Sequence, residues 1–484
     1  MQAHTAKPVI ATKTKLFVRY TKLFGLVLPS MGLLACADLG LQKTSAPQAQ
    51  ASVAPQAYVV LGEQGQTVAR VLTASACPAL EVDGKLLPMQ MRAPANTAQL
   101  RKTVFSAEQS KPSVFPLNTC ELPIAVASKS VKLGAQALPL PAAEITRIVV
   151  LGDSGCRIRG DQIQACNDAD QFPFAKVAQA AANWKPQLVL HVGDYHYRES
   201  ACPANNPGCA GSPWGYGWDT WQADFFAPAQ PLLQAAPWVM VRGNHESCRR
   251  AGQGWWRLLD PRPLQAGRDC NLEKDDITGD YSEPYAVPLG NDAQLLILDS
   301  AAAPHTSLKK DDVGFAKFSQ QYTTLERLAN QATYNMAAFH HPLLGIYVEK
   351  QADGKLKYYP GNQALQSVFL ERNAVMLPPR IQTLLAGHVH TWQQLSFSSG
   401  HPSHFISGIA GSALDPEGLP AQLPPDVTPA LSASIENHDA YSKGFGFMTM
   451  ERDGASHWQV KLWDVNGKQI KSCEIDNRAS VCKK

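Results

Sequence analysis

Seven short apolar runs, each closing on small or polar residues, constrain this chain more than any other feature. "RIVVLG", "QLVLHVG", "PWVMVRG", "LLILDS", "MAAFHH", "QTLLAGH" and "HFISGIAG" follow one another between residues 147 and 411. Continuous apolar runs of this length suit strands covered on both faces rather than strands with one face in water. The intervening "FAKVAQAAANW" and "FAKFSQQYTTLERLANQA" carry helical spacing. Alternation of the two predicts an α/β layered domain beginning at residue 145.

The flanking sequence has a different texture. Residues 57–140 break short apolar runs such as "AYVVLG" and "TVARVLT" with Gly, Asp and Pro, which predicts a small β domain with "ALPLPAAE" at 137–144 as its boundary. The tail, to residue 484, returns to strands separated by "DG" and "NG" turn signals. Residues 37–56, rich in Ala, Gln, Ser and Pro, read as a linker.

Residues 1–36 read as an export signal. Lys7, Lys13, Lys15, Arg19 and Lys22 precede the apolar run "LFGLVLPSMGLLAC", which Pro29 interrupts and which is shorter than the roughly 20 residues a bilayer core needs. "LLAC" at Leu33 to Cys36 is similar to a bacterial lipobox, which predicts lipidation and membrane attachment through Cys36; "ACA" also fits ordinary small-residue cleavage. Both versions place the mature chain in the periplasm or cell envelope, or outside the cell. Loss of this segment takes the formal net charge from +3 to below zero, so no nucleic acid is expected as a partner.

The cysteines other than Cys36 are even in number, as an oxidising compartment favours. Connectivity does not follow from sequence, but proximity suggests Cys77 with Cys120, Cys156 with Cys166, Cys202 with Cys209, Cys248 with Cys270, and Cys473 with Cys482. Buried free thiols are the alternative. A zinc cluster is disfavoured, because no C-x₂-C pair occurs.

Polar residues collect at the carboxyl ends of the apolar runs, where open α/β sheets bind ligands. "VVLGDSG" supplies Asp153, "LHVGDYHY" Asp194, "MVRGNHE" Asn244 and His245, "AAFHHP" His340 and His341, and "LAGHVH" His388 and His390. Taken singly, a Gly-Asp after a strand is a turn and a His-Pro a loop. Taken together, five strand ends all offer oxygen or imidazole donors. That set suits two metal ions sharing a carboxylate, with Asp194 as the bridge, and ions of the zinc, iron, manganese or nickel type.

In this order GDSG (152–155), GDYHY (193–197), GNHE (243–246), HHP (340–342) and GHVH (387–390) resemble the calcineurin-like metallophosphoesterases, and among them the purple acid phosphatases. The resemblance covers roughly residues 145–411 and not the N-terminal β region. It implies a two-sheet α/β layered domain, a βαβαβ-based sandwich flanked by helices, running from 145 to 484 behind the small β domain. Many relatives carry His two residues after the first Asp; this chain has Gly155, and the GDxxY phenol of Tyr197 takes its place. The implied ligands are Asp153, Asp194, Tyr197 and His390 for the first ion, and Asp194, Asn244, His340 and His388 for the second. A second departure, Ala337 where Val is common, alters packing only.

Three anionic ligands and a bridging hydroxide neutralise two divalent ions, whereas an Fe(III) and M(II) pair keeps a positive charge. Hard phenolate favours the trivalent ion, so the expected cofactor is Fe(III) with Fe(II), Zn(II) or Mn(II). The implied activity is an acid phosphatase cleaving small phosphate monoesters by in-line attack of a metal-bound hydroxide. His245 is the candidate general acid, with a loop carboxylate such as Glu246 as its alternative partner, and His341 a candidate contact to the leaving group. Tyr195 is expected to pack, His196 to face either substrate or core, and "SPWGYGWDTW" (212–221) to form either a rim or a packed loop. Two other readings are a phosphodiesterase for nucleotide or phospholipid-type substrates, and a surface binding lipoprotein with a vestigial metal site.

Overall fold

The computed structural model describes residues 55–101 and 110–483. The export signal, Cys36 and nearly all of the linker lie outside the described residues. Among the described residues no helix is long and apolar enough to cross a membrane.

The apolar runs form the centres of two large sheets. In the eleven-stranded sheet Arg147–Leu151, Leu188–His191 and Trp238–Met240 lie parallel to one another. The seven-stranded sheet has its own parallel centre in Ala293–Ile297, Tyr334–Ala338, Ile381–Ala386 and Ser403–Ser407. Successive side chains of a strand leave on opposite faces. Ile148, Val150 and Leu190 of the first sheet therefore meet Leu295, Met336 and Leu385 of the second in one core. Outward, Val149, Val189 and Trp238 pack on Val177, Ala178 and Ala181 of the helix Phe174–Asn183. Leu296, Ala337 and Leu384 do the same against Phe318, Tyr322 and Leu325 of Val313–Ala329. The layers are helix, sheet, sheet, helix, the arrangement the resemblance implies.

Strands from both ends of the described residues extend the first sheet. Gly446–Arg452 pairs antiparallel with Arg147–Leu151 and continues through His457–Asp464, Gln469–Asp476 and Ala479–Cys482. On the other side Gln56–Leu61 lies parallel to Trp238–Met240, followed by Thr67–Thr73, Asn118–Ile124 and Gln90–Ala93. The 57–140 region has the β content its pattern predicts, but it is not set apart, and residues 52–484 make one compact unit. The reason is in "AYVVL": Tyr58 and Val60 point into the helix-covered core, Ala57 and Val59 into a separate cluster with Leu80, Val82 and Val131 of a small four-stranded sheet. Two buried arginines tie this region to the helical turn Trp255–Leu259. Arg70 donates to the Leu258 carbonyl at 2.8 Å and Arg92 to the Trp256 carbonyl at 2.6 Å, with Glu121 beside both.

All five suggested disulfides form: Cys77–Cys120, Cys156–Cys166, Cys202–Cys209, Cys248–Cys270 and Cys473–Cys482. Three of them anchor loops that follow the parallel strands of the first sheet.

Candidate metal centre

Each of the five motifs begins just past the carboxyl end of a parallel strand, so the two sheets deliver their donors to one place. Asp153, Asp194 and His388 hold φ of 56°, 60° and 70°, a left-handed conformation that costs a non-glycine residue about 1–3 kcal/mol. Hydrogen bonds across the loops hold them there. The Asp153 N–H donates to the Gly193 carbonyl and the Ser154 N–H to the Asp194 carbonyl, both at 3.0 Å. Glu246 accepts from the backbone of Gly243, Asp194, Tyr195 and His196 at 2.9–3.2 Å. Burial, with the Asp194 charge adding to it, pushes the Glu246 carboxyl up to about 8. Gly243 is required by space: a Cβ there would lie 2.1 Å from Asp194 Oδ1.

One half of the cluster gathers around the Tyr197 phenol. Its oxygen lies 2.8 Å from Asp153 Oδ1, 3.0 Å from Asp194 Oδ2 and 2.9 Å from His390 Nε2. The other half gathers around Asn244 Oδ1, 3.0 Å from His340 Nε2 and 2.9 Å from His388 Nδ1. Asp194 belongs to both, since its Oδ2 is also 3.1 Å from His340 Nε2. The remaining nitrogens are held from behind, His340 Nδ1 by the Val192 carbonyl at 2.8 Å and His390 Nδ1 by the Ala413 carbonyl at 2.7 Å. Such backing fixes which imidazole nitrogen faces inward.

The donors are largely buried together, and burial and mutual charge set their protonation. Burial, reinforced by the Asp153 and Asp194 charges, pushes the Tyr197 phenol well above its ordinary value. Burial and then the neighbouring rings of His341 and His340 push His388 well below the imidazole range. Burial opposes ionisation at Asp194 and at His340, but each outweighs it for the other: the carboxyl is held well below its usual range and the imidazole raised to about 9. A buried group of carboxylates, phenol and imidazoles with donor atoms roughly 3 Å apart is the spacing of ligands around ions with bonds of about 2.0–2.2 Å. Asp194, His340 and His388 by themselves already satisfy a three-ligand cluster. The residues fit a metal pair. The grouping of Cys248, Cys270 and Asp280 does not, because its sulfurs are joined in a disulfide.

Why position 155 is glycine is visible directly. A Cβ on Gly155 would sit 2.7 Å from the Tyr195 carbonyl oxygen and 2.9 Å from Asp224 Oδ2. Asp224, buried, clamps the loops that carry Gly155 and Tyr197, accepting from the N–H groups of Cys156 at 3.0 Å, Tyr197 at 2.7 Å and Arg198 at 3.1 Å, and from Arg198 Nε at 2.6 Å. Sequence reasoning gave no place to Asp224, which lies in an aromatic helical stretch without a motif.

His245 lines the cavity beside the cluster, and its partner is not Glu246. Its Nδ1 lies 2.8 Å from Glu199 Oε1, while Glu199 is also bound by Arg250 and accepts from the Tyr216 hydroxyl at 2.9 Å. Glu246 is occupied by backbone N–H groups, as above. Burial and the nearby Arg250 charge lower His245 to about 4. His341 does not reach the cavity: it is buried, with Nδ1 3.2 Å from the Ser300 hydroxyl and its ring 4.4 Å from that of His388. Its ring also lies 5.2 Å from that of His340, so it packs behind the two imidazoles. Tyr195 packs, its ring 3.8 Å from that of His191 and its hydroxyl donating to the Val241 carbonyl at 3.0 Å. His196 goes to the core against Tyr216 and Trp221, two buried members of the 212–221 stretch, whose Trp214 and Trp218 stay half-buried and Asp219 exposed.

The cluster floors a cavity of about 540 Å³. Its lining includes Arg157 and Arg159, just before and on the small hairpin Ile158–Arg159 and Gln162–Ile163, and Tyr347 and Tyr359 of another, Tyr347–Lys350 and Leu356–Tyr359.

A two-sheet α/β sandwich with paired metal donors at its strand ends defines a metal-dependent hydrolase fold, and comparison with known proteins names the family. Residues 146–392 match the calcineurin-like phosphoesterases. The chain belongs to that family, whose members hydrolyse phosphoesters on a dinuclear metal site. Among solved structures it is similar to purple acid phosphatase PPD1 from yellow lupin (Lupinus luteus) seeds, with 13% identity, a TM-score of 0.50, and 87% of this chain and 74% of that one covered. It is likewise similar to PhoD, with 11% identity, a TM-score of 0.50, and 89% and 91% covered. At such identities the likeness is one of fold. No curated protein sequence matches it.

Proposed function

We propose that this chain is an exported acid phosphatase of the purple acid phosphatase kind, hydrolysing phosphate monoesters. The observation that carries the reading is Tyr197, whose phenol oxygen sits among Asp153, Asp194 and His390 at 2.8–3.0 Å beside a Gly155 with no room for a side chain. Asp153, Asp194, Tyr197 and His390 would hold Fe(III), and Asp194, Asn244, His340 and His388 would hold Fe(II), Zn(II) or Mn(II). When bound, the two ions supply positive charge for the phosphoryl oxygens and lower the pKa of water in the site.

The chain's own residues do the rest. Glu199 at Nδ1 orients the His245 ring and offsets part of the lowering by burial and Arg250, so the protonated ring, which donates from Nε2 to the departing oxygen, is populated at acidic pH. The strand-end loops keep the donors at fixed spacing, so little reorganisation accompanies the change of charge on the phosphoryl group. Five disulfides among the described residues support export to an oxidising compartment, with Cys36 the site of lipid attachment. The breadth of the cavity favours diester hydrolysis as a second reading.

The test combines metal analysis, a visible spectrum, and hydrolysis of p-nitrophenyl phosphate beside bis-p-nitrophenyl phosphate across acidic and alkaline pH. The expected result is two transition-metal ions per chain, a tyrosinate-to-Fe(III) band, and preference for the monoester at acidic pH. Preference for the diester selects the second reading, and a metal-free protein inactive on both esters sinks the proposal.

A further inference from the structure

Arginines near the cluster differ in one respect. Arg198 is paired with Asp224, Arg242 with Asp280 and Asp299, and Arg250 with Glu199. Among the described residues no carboxylate forms an ion pair with Arg157. Its Nη2 lies 3.1 Å from His390 Nε2, its guanidinium stands 5.3 Å from the centre of the Tyr197 ring, and its buried Nε has no hydrogen-bond partner. A half-buried cation at the mouth of a polar cavity, facing ligand residues and unneutralised, is set up for an anion that comes and goes.

Its position is also built. The Arg157 N–H donates to Gln164 Oε1 and its carbonyl accepts from the Gln164 N–H, both at 2.8 Å, and Gln164 Nε2 donates to the Gly411 carbonyl at 2.8 Å. The Cys156–Cys166 disulfide closes the same loop beside it. Guanidinium nitrogens offer a planar fork that fits two oxygens of one phosphoryl group.

We propose that Arg157 determines monoester specificity by pairing with the third terminal oxygen of the phosphoryl group. A monoester dianion and inorganic phosphate carry that oxygen as an anion; a diester has an ester bond in its place and one charge fewer. The inference rests on the hydrolase reading above and adds the residue that decides between its two ester classes.

The experiment compares wild type with Arg157→Gln and Arg157→Lys, each checked for unchanged circular dichroism and metal content. kcat/KM is measured on p-nitrophenyl phosphate and bis-p-nitrophenyl phosphate, and inorganic phosphate binding is followed by calorimetry. In Arg157→Gln the monoester-to-diester ratio falls on the order of 10- to 100-fold and phosphate binds more weakly by a similar factor, the loss of a charge-assisted hydrogen bond. Arg157→Lys keeps the charge without the fork and recovers part of both. Calorimetry keeps the two claims apart. Wild type inactive on both esters overturns the hydrolase reading, whereas equal phosphate affinity in wild type and Arg157→Gln, or an unchanged ratio, overturns the role of Arg157 alone.

Discussion

The two halves of the cluster differ in charge although they share Asp194. Around Tyr197 the donors are Asp153, the phenol and His390; around Asn244 they are an amide oxygen and two imidazoles. One half concentrates anionic oxygen and the other is neutral apart from the shared carboxylate. The difference supports the proposed pairing of two unlike ions, with the harder and more highly charged one on the Tyr197 side.

Removing the shared member should erase the comparison. Asp194→Asn is expected to lower kcat/KM by at least about 10³-fold and to reduce bound metal in both halves, as measured by assay and elemental analysis; retention of two ions per chain would remove Asp194 from the bridge. Next in size, the halves should fail separately. Tyr197→Phe is expected to bleach the visible band and lower activity on the order of 10²-fold, while His340→Ala lowers activity but keeps the band. A band that survives in Tyr197→Phe breaks the assignment of the phenolate half.

A third experiment asks whether the Tyr197 half tolerates a side chain where relatives place a ligand. Gly155→Ala puts a methyl 2.7 Å from the Tyr195 carbonyl oxygen, and is expected to cost about 1–3 kcal/mol in a denaturation experiment. Unchanged stability would show that the loop relaxes freely and that the glycine is not forced by space. Smallest is Glu199→Gln, which keeps the shape around His245 but not the charge. It should lower kcat by about 10-fold with KM little changed; a fall confined to KM would assign Glu199 to binding instead.

The sequence made the two sheets, the five donor-bearing strand ends and the disulfide pairs legible because each leaves a local mark. Buried strands are short unbroken apolar runs, and the donor residues follow them within a few residues. What it did not show depends on distance in space. Glu199 sits only two residues past Tyr197, yet nothing local says that its carboxylate meets His245 from another loop at 2.8 Å. Asp224 clamps two motif loops from a helix without any motif of its own. His341 shows the limit of adjacency: next to His340 in sequence, its ring is buried against those of His340 and His388 and does not line the cavity. The β region at 57–140 was separable on texture alone, and only the pairing of Val60 with Trp238 reveals that it completes the larger sheet.

That sheet has a consequence for how the protein keeps to itself. Its outer strands are both short: Gln90–Ala93, with a register shift between Met91 and Ala93, and Ala479–Cys482, fastened to its neighbour by Cys473–Cys482. Short, irregular or tethered edges discourage a second chain from adding a strand. In a reducing solution the last of these tethers opens, and fraying of Ala479–Cys482 would leave the eight residues of Gln469–Asp476 as a longer edge open to self-pairing.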